Sequence, residues 1–207
     1  MKKPALVLIF IALIAFGCAR RSQMAKNDVP DPKAAVIDAS HKLTELKLLT
    51  GRIDAVSETP YKQQVEFIAP DKYHVWYHDD TGGELEMITS AGKTYLRSGD
   101  TWTDLDSETS ITPTMRNSFT DDVLSSISDV QYEGDETLDD KQTRIFSYNL
   151  VTKVGNFHAK QRIWVDKDSG VPVKCFVEYS EGPIKTLTTT FDSQSPVTIE
   201  APPPAAK

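Results

Sequence analysis

From Ile53 the apolar residues fall at every second position: Ile53 and Ala55, Val65 and Phe67, then Tyr73, Val75 and Tyr77, Leu85 and Met87, Tyr95 and Trp102. A period of two sends successive side chains to opposite faces, so each group predicts a short strand with one face toward a core. Thr59-Pro60, Pro70-Asp71, Thr81-Gly82-Gly83, Ala91-Gly92 and Ser98-Gly99-Asp100 interrupt the groups. Gaps of this length hold hairpin turns and leave no room for crossover helices, which predicts an antiparallel meander. A second meander follows over 130–137, 143–150, 157–166, 171–179 and 185–192, broken by Asp139-Asp140, Gly155-Asn156, Asp168-Ser169-Gly170 and Glu181-Gly182-Pro183. Two stretches keep a helical period instead. Over 31–48, Val36, Ala39, Leu43 and Leu46 share one stripe behind an Asp31-Pro32 start, and over about 113–127, Met115, Phe119, Val123 and Ile127 lie four apart with Asp121-Asp122 facing outward. The chain reads as α+β, mostly β: an opening helix, a meander, a central helix and a second meander.

The ends carry different information. Lys2 and Lys3 precede an unbroken apolar run over 5–16, then Gly17 and Cys18, the charge, core and small-residue order of a secretory signal. The run is well short of the about 20 apolar residues a membrane-spanning helix needs. Residues 1–17 are therefore expected to be removed. Ala15-Phe16-Gly17-Cys18 resembles the bacterial lipobox, which implies a thioether-linked diacylglycerol on Cys18 and cleavage before it; Leu and a small residue usually stand where this chain has Ala15 and Phe16. Residues 18–32, polar and holding Pro30 and Pro32, read as the lipidated cysteine and a flexible tether; 33–202 form one domain, and 203–207 a disordered tail. About 165 residues beyond the tether suffice for one continuous core.

Only one other cysteine exists, Cys175, so it is expected to be a single reduced or buried thiol, and no disulfide staples the domain. The formal charge of −7 becomes more negative still when Lys2 and Lys3 leave with the signal. An acidic domain argues against a nucleic-acid partner and against docking on anionic lipid, both of which need clustered Lys and Arg.

Catalytic patterns fail one by one. His74 and His78, four apart on a strand, stand about 13 Å from each other and read as exposed strand positions. Gly92-Lys93-Thr94 ends like a phosphate loop, but Met87 occupies the position of its first glycine and no helix follows. Asp166-Lys167-Asp168-Ser169-Gly170 opens like a calcium loop with its glycine one place early and Val177 in place of the closing glutamate, which a hairpin turn explains. Glu84 and Glu86 share a strand face about 7 Å apart, a separation that paired carboxylates use in glycoside hydrolysis, but a solvated face beside a Gly-Gly turn accounts for them. The chain is read as a non-enzyme with no cofactor and no metal.

The strings Ala69-Pro70-Asp71-Lys72-Tyr73, Met87-Ile88, Gly92-Lys93-Thr94-Tyr95-Leu96-Arg97 and Trp102-Thr103 resemble the first half of LolA-like carrier domains. Val130-Gln131-Tyr132-Glu133-Gly134, Arg162-Ile163-Trp164-Val165-Asp166, Gly170-Val171-Pro172-Val173-Lys174 and the ending Ser195-Pro196-Val197-Thr198-Ile199-Glu200-Ala201-Pro202 resemble the second half, the ending also being similar to lipid-binding lipoproteins of the LppX and LprG type. The resemblance implies a half-open antiparallel β-barrel whose concave face, lidded by the opening and central helices, holds acyl chains of a lipid or lipoprotein. It also implies envelope lipoprotein-transport proteins as partners and, with Ala19 rather than aspartate after Cys18, an outer-membrane anchor facing the periplasm. The carriers place an arginine directly before the motif's proline; this chain has Ala69. By alternation the cavity lining would be Val65, Phe67, Val75, Tyr77, Leu85 and Met87, with Met115, Phe119 and Ile127 from the central helix. A packed core wants the same residue types, so a rival reading stays open: a structural or assembly lipoprotein with a filled core and a protein partner.

Overall fold

The computed structural model describes Val29 and residues 31–105, 114–151 and 157–202. Cys18, the signal, the tail and most of the tether lie outside the described residues. Helix α1 (Pro32–Glu45) starts where the sequence predicts. The Asp31 carboxylate accepts from the Ala34 amide at 2.9 Å, and Pro32 fills a first-turn position whose amide needs no partner. It stops short of 48 because Leu46 turns extended to enter the sheet. Val36, Ala39 and Leu43 are buried.

Eleven strands follow: β1 (Leu48–Ser57), β2 (Tyr61–Ile68), β3 (Lys72–Asp79), β4 (Glu84–Ser90), β5 (Lys93–Ser98), β6 (Thr101–Leu105), β7 (Ser128–Leu138), β8 (Lys141–Val151), β9 (His158–Asp166), β10 (Pro172–Tyr179) and β11 (Ile184–Asp192). They form one antiparallel sheet in the order β6-β5-β4-β3-β2-β1-β11-β10-β9-β8-β7. The two meanders are thus a single sheet, joined where β1 pairs β11 from Thr50↔Asp192 to Ser57↔Ile184. Among the described residues β6 and β7 do not pair, which leaves the barrel half-open.

The central segment differs from the expected helix over 113–127. Pro113 lies outside the described residues; Thr114–Phe119 is a 3-10 helix, Thr120 is extended, and α2 (Asp121–Leu124) is a single turn. Ser118 and Thr120 are weaker helix formers than straight-chain residues, and the extended backbone of Thr120 starts a new turn, which accounts for the break. Met115, Phe119, Val123 and Ile127 are nonetheless all buried. The spacing found the inward positions and misread the backbone between them. The segment docks on β1 through Gly51, where an added Cβ would lie 1.8 Å from the Met115 sulfur; only glycine permits that approach. Nearby, the Arg116 guanidinium stands 4.4 Å from the centre of the Phe67 ring, and Phe119 meets Phe191 edge-on at 5.7 Å.

Candidate functional site

Strand pairing arranges the inward face in rungs that run across six to eight neighbouring strands. One rung runs Phe191, Gly51, Val65, Val75, Met87, Leu96. The next, toward the Tyr61 end of β2, runs Phe146, Ile163, Cys175, Thr189, Ile53, Gln63, Tyr77, Leu85. A third, one step further, runs Tyr148, Gln161, Val177, Leu187, Ala55, Tyr61. The central segment lies over the first of these.

The nine residues expected to line a cavity divide along this line. Val65, Phe67, Val75, Met87, Met115, Phe119 and Ile127 are between 0% and 4% exposed and belong to one packed cluster with α1. Tyr77 is half-buried, and Leu85 is 39% exposed. Both point to the same face as Val75 and Met87 but sit one rung further from the sheet positions that Met115, Arg116 and Phe119 touch. Around them Tyr61 stacks at 5.2 Å on Tyr77, and burial, then the neighbouring Tyr77, raises the Tyr61 hydroxyl's pKa. Tyr179 is raised by burial, with Cys175 and Tyr61 adding to it. Cys175 is a free, buried thiol pushed up to about 12 by burial, against the nearby Gln161 amide, which acts to lower it. Alternation could have found this cluster, since Gln161 is in phase with Ile163 and Val165 and so had to face inward.

The outer face of β1 to β5 carries a cleft of about 910 Å³. Arg52, Gln64, Trp76, Glu86 and Arg97 line it as one outward rung. Glu86 is held at both oxygens, 2.8 Å from His74 Nε2 and 2.7 Å from Arg97 Nη1. Burial opposes its ionisation, but the hydrogen bonds from Arg97 and His74 outweigh it, so the carboxyl titrates below its ordinary value. His74 corrects the sequence reading: it is not an exposed strand residue but is largely covered, its ring 3.5 Å from that of Trp76. Glu84 does face solvent, 3.6 Å from His78, so the two carboxylates line one cleft in different surroundings, Glu86 covered and doubly held and Glu84 open to water. Asp166 accepts from the Asp168 and Ser169 amides in a hairpin turn closed by Gly170 at φ 71°. Among the described residues no group of three His, Cys, Asp or Glu is placed to hold a metal, and no helix is long and apolar enough to cross a membrane.

No protein-family profile and no curated protein sequence matches the chain. Solved structures match by shape. The lipoprotein LppX of Mycobacterium tuberculosis superposes with a TM-score of 0.62 at 15% identity, over 82% of this chain and 98% of that one. LprF from Mycobacterium bovis does so with 0.60 at 12% identity, over 84% and 98%. The chain has the LppX-type half-open barrel fold. The expected architecture is therefore met, and the LppX-type frame spans the described domain almost end to end. At such identity the likeness concerns architecture and assigns no role to any side chain.

Proposed function

We propose that this chain is a cell-envelope lipoprotein, anchored through lipid on Cys18 to the outer membrane, whose half-open barrel takes acyl chains of lipids or lipoproteins for carriage or sorting, with no covalent change. The observation that carries the reading is the LppX-type barrel with one end of its apolar face left uncovered at Tyr77 and Leu85. Each methylene moved from water to such a face contributes about 0.8 kcal/mol, so one long chain supplies a useful affinity without polar recognition. Deeper entry would require the 3-10 segment to lift from Gly51 and the Arg116–Phe67 contact to part. Proteins of the envelope's lipoprotein transport would then be its donors or acceptors.

A second reading is favoured by the tight packing of Val65, Phe67, Val75 and Met87, which is that of a filled core. In that case the protein is an assembly lipoprotein and the outer cleft around Trp76 meets a protein partner. Native mass spectrometry and solvent extraction of the domain purified from its own host separate the two. Co-purifying acyl lipid is the expected result; a domain that stays lipid-free, even after incubation with excess neutral long-chain acyl lipid such as monooleoylglycerol, overturns acyl binding. Cys18→Ala tests the anchor separately and should move the protein to the aqueous phase on detergent partitioning.

A further inference from the structure

Within the inward face, three polar atoms make no hydrogen bond of ordinary geometry among the described residues, the Tyr148 hydroxyl and both the oxygen and nitrogen of the Gln161 amide, with the protonated Cys175 thiol as their weakly bonding neighbour. Gln161 is 0% and Tyr148 2% exposed, and they stand opposite each other on β8 and β9. Buried polar groups in folded proteins are almost always paired, and an unpaired one removes stability that an apolar side chain of the same shape would return. Phe146, Leu150, Ile163 and Val177 share their face, together with the uncharged Cys175 thiol. The rung through Gln161 continues over Val177, Leu187 and Ala55 to Tyr61 at the uncovered end, four strand spacings or about 19 Å, which is the reach of a long acyl chain.

We propose that Gln161 and Tyr148 are a polar anchor for the head of a neutral acyl lipid, its chain laid along the rung toward Tyr61. The amide oxygen needs a donor and the amide nitrogen an acceptor, so the head must carry both, as the hydroxyl and ester of a monoacylglycerol do, or the N–H and C=O of an N-acyl group. An ester alone leaves the amide oxygen unpaired. The Arg116 guanidinium lies over Phe67 at the covered end of this face, so an ionised carboxylate seated at Gln161 must be desolvated. The inference rests on acyl binding and adds to it the chemical class of the head.

The test compares monooleoylglycerol, N-oleoylethanolamine and methyl oleate as competitors of a fluorescent fatty acyl probe. The unmutated domain should prefer the first two over the methyl ester by tenfold or more. Gln161→Met should narrow that preference to within about threefold and leave the melting temperature of the lipid-free domain unchanged or higher. Tyr148→Phe, which removes one oxygen and no volume, repeats the comparison if Gln161→Met does not fold. Stronger binding of the alcohol points to a free lipid as source and of the amide to an N-acylated lipoprotein end; either supports the anchor. Equal affinity for all three lipids, a preference that survives both substitutions, or a lower melting temperature in both lipid-free variants, as loss of a bridging water would give, overturns it. A domain that binds none of the lipids refutes acyl binding itself, a different outcome from binding without discrimination.

Discussion

Val75 and Met87 lie one step along β3 and β4 from Tyr77 and Leu85, on the same face, and their surroundings could hardly differ more. The first pair is buried in the core cluster that also holds Met115 and Phe119, while Leu85 stands 39% exposed and Tyr77 half-buried. Hydrophobicity does not separate them; the reach of the cover does. Met115 drops onto Gly51, Arg116 onto Phe67 and Phe119 against Phe191, all toward the Phe67 end of the sheet. A barrel face that is uniform by sequence is therefore a packed core at one end and an open apolar shelf at the other, and substitutions at the two ends should behave as different classes.

Phe119→Ala should produce the largest effect. A fully packed phenylalanine with an edge-on partner typically loses about 3 to 5 kcal/mol on truncation, whereas one facing a cavity loses less. Chemical denaturation of the two proteins measures it. A loss below about 1.5 kcal/mol would mean that the covered end is a lid over space rather than core, and the comparison of the two ends would collapse.

Gly51→Val probes the same end from the strand side. Its branched Cβ meets the Met115 sulfur, so a cost of about 1 to 3 kcal/mol from overpacking is expected. Met115→Ala in the same chain should recover part of it, because the two positions compete for one space and their effects are not additive. No recovery would place the clash elsewhere than the central segment.

These expectations also mark how far the sequence could be read. Two-residue alternation identified all eleven strands, because each is half-buried and the turns between them hold Gly, Pro or Asp. The β1–β11 junction was not legible: pairing between residues more than a hundred positions apart leaves no local trace. The division of the face into sealed and open ends was hidden for a related reason, since a run such as Val75-Trp76-Tyr77 reports a face and not what lies over it. Spacing of four put Met115, Phe119 and Ile127 inward correctly, yet could not see the extended Thr120 that breaks the helix. Gln161 lies outside the expected lining, which draws only on the first meander and the central helix, although its phase with Ile163 and Val165 marks it as inward.

A smaller effect is expected on the outer side of the open end. Glu86 has a folded-state pKa below its unfolded one, so its contribution is present above the unfolded value near 4.5 and is lost as pH falls through the lower folded value. Partly screened by water, it is worth about 1 kcal/mol or less. Melting temperature should fall as the pH drops below that value, and Glu86→Gln should flatten the fall. An unchanged slope would show that the His74–Glu86–Arg97 network does not help to hold β3, β4 and β5 together.

The smallest stability change belongs to Leu85, and it is the most informative about the open end. Leu85→Ser exchanges an already exposed side chain for a polar one, so unfolding free energy should change by no more than about 0.5 kcal/mol. Lipid affinity should respond quite differently if the shelf at Tyr77 and Leu85 is where an acyl chain meets the barrel. Covering the 39% of Leu85 that is still exposed contributes about 0.6 to 1.2 kcal/mol, and its loss should weaken binding of a fluorescent fatty acyl probe by about threefold to eightfold. Tyr77→Phe, which keeps the ring on the same shelf, should bind as the unmutated domain does. Unimpaired binding in Leu85→Ser would leave the exposed end as mere surface and send the acyl chain under the central segment, where Phe119→Ala would then be the variant to alter affinity.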